Sequence, residues 1–400
     1  MAITHDGPAP AAPKEERSSI LNDARFRGLL IQGAMLALVI GVAAAMAWNA
    51  QNNLSAQRIG SGFGFLDQSA GFAINQTLIE YNESSTYGRA LLVGILNTLL
   101  VAAVGIVLAT IFGFLVGIGR LSKNWVIRQI STAYVEVTRN LPLLFHILFW
   151  YLAVLAVMPP ARQSYSLFGA IFVNNRGVYI PKILFGEGSG VALAALAAAI
   201  VAVVGIKKWA TARQMKTGQR FPVLWTSLGL LIGLPLIALA SVGFPITIED
   251  PVLKGFNFSG GSRLLPEFAA LTIALSIYTG GFIAEIVRAG IRAVSYGQSE
   301  AAASLGIRPG LATRLVVIPQ ALRVMIPPLT SQYLNLTKNS SLAAFIGYPE
   351  LVQVFAGTTL NQTGQAIEII GITMGCYLVI SVTTSLFMNW YNRRVALVER

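Results

Sequence analysis

Two polar stretches interrupt a chain that is otherwise strongly apolar, and both contain residue types able to do chemistry. The first is EAAASLG, Glu300 to Gly306: one carboxylate, three alanines and a closing glycine among seven residues. Side chains this small carry no catalytic group, but they leave a smooth surface that a second protein can close over. The second is Asn335, Thr337, Lys338, Asn339, Ser340 and Ser341, amides and hydroxyls around one ammonium. Inside a membrane such a cluster is costly and marks a path for a polar solute, with Lys338 able to meet a carboxylate. A lysine there has two other uses: pairing with an acidic group on a neighbouring span, or reaching the interface on its long stem. Glu285 and Arg288, three residues apart on one helix face, read as a local structural pair.

Other chemistries are excluded. The single cysteine, Cys376, lies in an apolar run and permits neither an internal disulfide nor a cysteine-based metal site. His5 and His146 are too few for an imidazole cluster, and His146 reads as a packed or water-facing helix residue. No GxxxxGK followed by Ser or Thr occurs, so the chain has no phosphate-cradling loop of its own. No catalytic residue, cofactor or metal is expected. A membrane enzyme would need carboxylates or histidines gathered near one interface, and the sequence gathers none.

The elements that position these residues are membrane helices. Hydrophobic residues make up 54% of the chain and charged residues 12%, about half the roughly 25% charged content of a soluble domain. Four hundred residues of this composition cannot hide their apolar surface in one soluble core, so the fold class is all-α and polytopic. Runs near the roughly 20 residues that cross a bilayer fall at 29–48, 89–119, 141–157, 190–206, 223–242, 266–286, 328–346 and 367–390, about eight transmembrane helices. The first follows a polar tail at 1–28 and is an anchor rather than a cleaved signal, being longer than the ~7–15 apolar residues of such signals. Gly113 and Gly117 would let two helices approach closely, but glycine is too common in membrane helices for that pair to carry weight alone.

Charge sets the orientation. With eight spans and an inside amino terminus, 21 of the 29 Lys and Arg fall on one side and 6 on the other. The positive-inside rule then puts both termini and the 287–326 loop in the cytoplasm. The net charge of +12 would suggest nucleic acid in a soluble protein; here it reflects a basic membrane face, and no nucleic-acid partner is expected. Within the 287–326 loop, Gly297 opens a helix beginning near Gln298. Glu300 lies in its first turn, where the helix dipole favours negative charge, and Ala301, Ala302 and Ala303 are strong helix formers. Gly306 supplies a left-handed closing position and Pro309 stops continuation. About two turns of helix are too short to be stable alone, so the segment reads as a docking helix ordered by an external surface.

These residues carry a family resemblance. Glu300, Ala301, Ala302 and Gly306, with Ile318-Pro319-Gln320-Ala321 downstream, resemble the cytoplasmic EAA loop of permease subunits of bacterial binding-protein-dependent ABC importers. The flanks AEIVRAGI, PQALRVMIPPLTSQYLNLTKNSSLA and IGYPEL resemble the polar amino acid uptake subfamily, which includes the histidine and glutamine permeases. VEVTRNLPLL matches a segment of that subfamily at Glu136, Arg139, Pro142 and Leu143. It departs at Asn140 and Leu141, where glycine and threonine are more usual; this form is similar to permeases of general L-amino acid and glutamate/glutamine/aspartate/asparagine systems. The resemblance covers about 88–143 and 266–400. It implies a five-helix permease core (89–157 and 266–390), with the first span, the loop up to residue 88 and a hairpin at about 190–242 as additions. It further implies a bacterial inner-membrane subunit moving L-amino acids from periplasm to cytoplasm. The implied partners are a second homologous permease, an ATPase dimer that binds the ATP, and a periplasmic amino-acid-binding protein. Helix 298–305 would sit in the ATPase. A permease for another small polar solute would share only the EAA motif, and an ion-coupled secondary transporter would not need it.

Overall fold

The computed structural model describes residues 24–56 and 62–395, so His5, most of the polar tail and the last five residues lie outside the described part. Its helices run in the order α1 (Ala24–Ala56), α2 (Tyr87–Gly119), α3 (Trp125–Asn140), α4 (Leu143–Leu155), α5 (Gly190–Thr217), α6 (Val223–Ser241), α7 (Pro266–Arg292), the short α8 (Tyr296–Ser304), α9 (Pro309–Ile346), the short α10 (residues 351–363) and α11 (Ala366–Val395). Among the described residues, 7 helices are long and apolar enough to cross a membrane, and 8 if α3 and α4 count as one bent span.

The core is α2 against α7. A Cβ at Gly113 would come within 2.6 Å of Ile283 and 2.9 Å of the Gly280 carbonyl oxygen; one at Gly117 would come within 2.7 Å of Val287 and 2.8 Å of the Ala284 carbonyl oxygen. The glycine pair is therefore a true helix–helix seam, its missing side chains letting the backbones touch. The Ser276 hydroxyl meets the Gly105 carbonyl at 3.5 Å, and Leu336 of α9 packs on Gly105. These contacts make α2 and α7 parallel; with Thr110 of α2 donating to Tyr333 at 3.0 Å and Met325 packed at Gly290 of α7, α9 runs antiparallel to both, with Leu336 midway along α2. One end of the bundle then carries α8, beyond Gly117 and Val287; the other carries α10, whose Leu351 packs against Gly94.

The third span is broken. α3 and α4 meet at 108°, with Leu141 extended at φ −100° and ψ 135° immediately before Pro142. The proline ring pushes the residue before it out of the helical region, which places the break at the Leu141–Pro142 junction. α4 continues through a π-helical stretch, Phe149–Leu155.

Elsewhere the helices overrun their sequence boundaries. α5 extends to Thr217, so most of the basic stretch after residue 206 is helical. The expected 287–326 loop shrinks to residues 293–308, because α7 continues to Arg292 and α9 starts at Pro309. Pro327 and Pro328 thus lie inside a helix rather than at the entry to a span. Arg308, Arg314 and Arg323 lower the hydropathy of this part of the sequence, but charge at the end of a bundle does not prevent a helix.

The loops expected at 158–188 and 243–265 fold into strands at the α10 end. β1 (Tyr165–Leu167), β2 (Ile171–Asn174), β3 (Gly177–Ile180) and β8 (Ser262–Leu264) form an antiparallel sheet in that order. β4 (Lys182–Phe185) pairs with β5 (Ile246–Glu249), and β6 (Val252–Lys254) with β7 (Asn257–Ser259). The Asn174 side chain accepts the Arg176 N–H at 2.8 Å, an Asx turn that reverses the chain between β2 and β3. These strands stitch together the two loops flanking the α5–α6 hairpin. The hairpin itself packs mainly on its own partner helix, and α1 buries none of its membrane-length window against the rest of the chain. Residues 64–87 lie on the core: Phe65, Ala70 and Tyr87 cluster with Leu351, Phe355 and Ile369.

Candidate functional site

At one end of the bundle, α8 begins at Tyr296, two residues earlier than its composition suggests. Gly297 consequently lies inside the helix, and Glu300 in its second turn rather than its first. The closing turn is as expected: Gly306 takes φ +73°, and the N–H groups of Gly306 and Ile307 reach back to Ala303 and Ala302 at 2.9 and 3.0 Å. Pro309 does more than stop the helix, since it is the first residue of α9, where its missing N–H costs nothing. Of the motif residues, Ala302 is turned inward at 4% exposure, while Glu300, Ala301 and Gly306 are exposed. A hydrogen bond from Gln320 to Gln298 at 3.1 Å tethers α8 to α9, eleven residues beyond Pro309. On the outer face, Tyr296 and Leu305 are more than three-quarters exposed.

Behind α8, the Glu285 carboxylate accepts hydrogen bonds from Arg288 on the same helix and from Arg120 at the end of α2. The local pair is legible in the sequence; Arg120, 165 residues away, is not. Arg139 lies 5.2 Å over the Phe282 ring and, with Glu285, Pro328 and Gln332, lines a 280 Å³ cavity. Glu136 is exposed on α3, and Pro142 marks the break. His146 packs edge-on against Tyr278, 5.7 Å between ring centres.

Midway through the bundle, Lys338 and Ser341 line a cavity of about 570 Å³ between α9 and α11, opposite Val352, Thr373 and Tyr377. The six polar residues of this stretch separate. Thr337 and Ser340 are buried and donate to the carbonyls of Tyr333 and Thr337, closing their hydroxyls onto their own helix. Ser341 donates to the Lys338 carbonyl at 2.8 Å. Asn335 is exposed and Asn339 half-buried, and neither lines the cavity. Among the described residues no carboxylate pairs with Lys338, whose side chain is exposed in the single chain. Of the three uses the sequence leaves open, an ion pair with a neighbouring span is therefore not formed among the described residues.

A further carboxylate has only a weak signature in the sequence. Glu350 is wholly buried in the connection between α9 and α11. Burial pushes its carboxyl up to about 7, while the N–H groups of Val352 and Gln353 pull it back. Around it, the Asn97 amide donates to the carbonyls of Pro349 and Gln76 at 2.7 and 2.9 Å, and the Leu351 N–H donates to Thr98 Oγ1 at 3.1 Å. Its signals in the sequence are its place in the IGYPEL flank, which assigns it no role, and its position just before an apolar run, a helix-start pattern too common to single out.

The chain is thus a bundle of membrane helices with a short helix exposed at one end and Lys338 lining a cavity between α9 and α11. Residues 190–397 match the family described as binding-protein-dependent transport system inner membrane component. The chain is 54% identical over 382 residues to the general L-amino acid transport system permease protein AapQ of Rhizobium johnstonii, covering 96% of this chain and 95% of that one. It is 54% identical over 374 residues to the putative amino-acid ABC transporter permease protein YhdX of Escherichia coli, covering 94% and 95%. It is 41% identical to the glutamate/glutamine/aspartate/asparagine transport system permease protein BztB of Rhodobacter capsulatus, along the full length of both. The chain belongs to this family of ABC-transporter permeases: it is a multi-span transport subunit and not an enzyme. Membership brings an ATPase and a solute-binding protein as partners.

Proposed function

We propose that this permease passes L-amino acids, acidic ones and their amides among them, from the periplasm to the cytoplasm of a bacterial inner membrane. The names of the relatives that match along nearly the whole chain support the solute class. The observation that carries the reading in the molecule is Lys338, a cation without a carboxylate partner among the described residues, in a cavity half-way through the bundle. An α-carboxylate is the group every amino acid shares, and an ammonium is its natural receptor. ATP hydrolysed by partner subunits would act through the outer face of α8, with Glu300 meeting the ATPase by charge and Gly306 giving the sharp exit. Both termini and α8 lie in the cytoplasm in this reading, and a second, homologous permease completes the path.

The test is ATP-dependent uptake of labelled amino acids by the complex purified with its partners and reconstituted in vesicles. Uptake of glutamate, glutamine, aspartate and asparagine is expected, and its absence with ATPase activity intact would reject the solute class. Mass measurement of the intact complex decides whether its two permeases are one chain or two.

A further inference from the structure

Glu350 is a buried charge that the transport reading leaves without a task. Three donors converge on it: the N–H of Val352 and the Tyr377 hydroxyl on Oε2, each at 2.9 Å, and the N–H of Gln353 on Oε1 at 2.9 Å. Two of those residues, Val352 and Tyr377, are also walls of the Lys338 cavity. The carboxylate therefore holds the first turn of α10 by its backbone and the middle of α11 by a side chain. The connection is fixed from behind as well, since Thr98 and Asn97 of α2 hold Leu351 and Pro349. A Cβ at Gly94 would come within 3.0 Å of the Leu351 Cα, so that backbone has no room to retreat. The groups facing Glu350 are hydroxyls and amides, including Tyr348, Tyr377 and Thr98; among the described residues neither Lys nor Arg pairs with it. Burying a carboxylate without a cation is expensive. A helix start needs only a short polar cap, and a cap does not require a tyrosine from another span.

From this geometry we infer that Glu350 is a positioning residue for translocation, locking the Val352 wall and the Tyr377 wall of the cavity together so that Lys338 and Ser341 face the solute in one arrangement. The inference rests on the reading of that cavity as the solute path. Tyr377 is the discriminating position, because it touches the carboxylate without taking part in the α10 cap. Cys376, beside it, is the chain's single cysteine, half-buried against the same cluster of Leu351, Val354 and Phe355. It is a native probe of how tightly α11 is held.

The experiment uses the assembled complex. Alkylation of Cys376 by N-ethylmaleimide, without solute, is followed on this chain by mass spectrometry for wild type, Tyr377→Phe, Glu350→Gln and the double variant; uptake of labelled L-glutamate is then measured in vesicles. Both single variants should alkylate about 10-fold faster, as local opening becomes easier. The double variant should be no faster than either single, because both cut one tie. KM for uptake should rise about 10-fold with ATPase activity within about twofold, the pattern of lost solute binding rather than lost coupling. Unchanged alkylation in Tyr377→Phe, additive effects in the double variant, or a fall in maximal rate with KM unmoved would overturn the inference. If Glu350→Gln does not assemble, Tyr377→Phe decides alone. Wild-type complex that takes up no amino acid yet shows the expected alkylation pattern removes the solute assignment and leaves the positioning in place; normal uptake with unmoved alkylation removes only the positioning.

Discussion

Glu300 and Glu350 sit at opposite ends of the same bundle and are treated in opposite ways. Glu300 is exposed on α8, beside a face that offers Tyr296 and Leu305 to the outside. Glu350 is wholly buried, with three donors on its carboxylate. Glu285 lies between these extremes, partly buried and held by two arginines. The difference separates two kinds of work. A group kept open, on a helix too short to be stable alone, is the one the proposed function assigns to contact with another protein. A group saturated inside the fold fixes distances within the chain, and its loss leaves buried partners unsatisfied.

Substitutions at the two ends should therefore fail differently. The largest effect is expected at Gly306, whose φ of +73° disfavours any branched side chain. Gly306→Val should leave the chain inserted and assembled but reduce ATP-driven uptake about 100-fold, measured in vesicles beside an assembly assay; near-normal uptake would sink the role of α8. Next is Lys338→Met, which keeps the stem and removes the charge. KM for amino acid should rise about 10- to 100-fold with basal ATPase unchanged, the size expected when a charged hydrogen bond is lost. Arg120→Met leaves Glu285 with Arg288 alone and should lower the thermal midpoint of the purified complex by a few degrees, about 1.5 kcal/mol for one lost charged hydrogen bond. A smaller contrast lies within α8 itself. Ala303→Leu, on the exposed side, should weaken ATPase binding and spare the chain's own stability; Ala302→Leu, turned inward, should do the reverse.

The buried end also carries a pH dependence. The folded Glu350 carboxyl is raised from 4.5 to about 7, with burial the largest cause. The unfolded carboxyl gives up its proton at lower pH than the folded one, so the folded state loses stability as pH rises from about 4.5 to about 7, and loses no more above that. The thermal midpoint should fall by a few degrees between about pH 5 and about pH 8, and Glu350→Gln should remove that component. Identical slopes in the two proteins would mean the carboxylate does not titrate there.

The sequence alone determined the class, the number of spans to within one and the position of α8 to within two residues, because each rests on local composition. Apolar runs must cross the membrane, three alanines favour a helix, and only glycine closes it comfortably at Gly306. It named Pro142 only as part of the family segment and ran the third span through it from Leu141, so the break at the Leu141–Pro142 junction, local as its cause is, was read from the structure. It misjudged the ends of α5, α7 and α9, where hydropathy falls at the membrane surface but the helix does not stop. It passed over the strands at 165–185 and 246–264, whose partners lie on the far side of a hairpin. Which residues of the 335–341 stretch face the cavity was decided by the rotation of α9 against α2 and α11. The Arg120–Glu285 pair, the Gly113–Gly117 seam and the knot at Glu350 were likewise decided only by tertiary structure. Each depends on two segments far apart in the chain meeting at hydrogen-bond or van der Waals distance, and no spacing within either segment encodes the other.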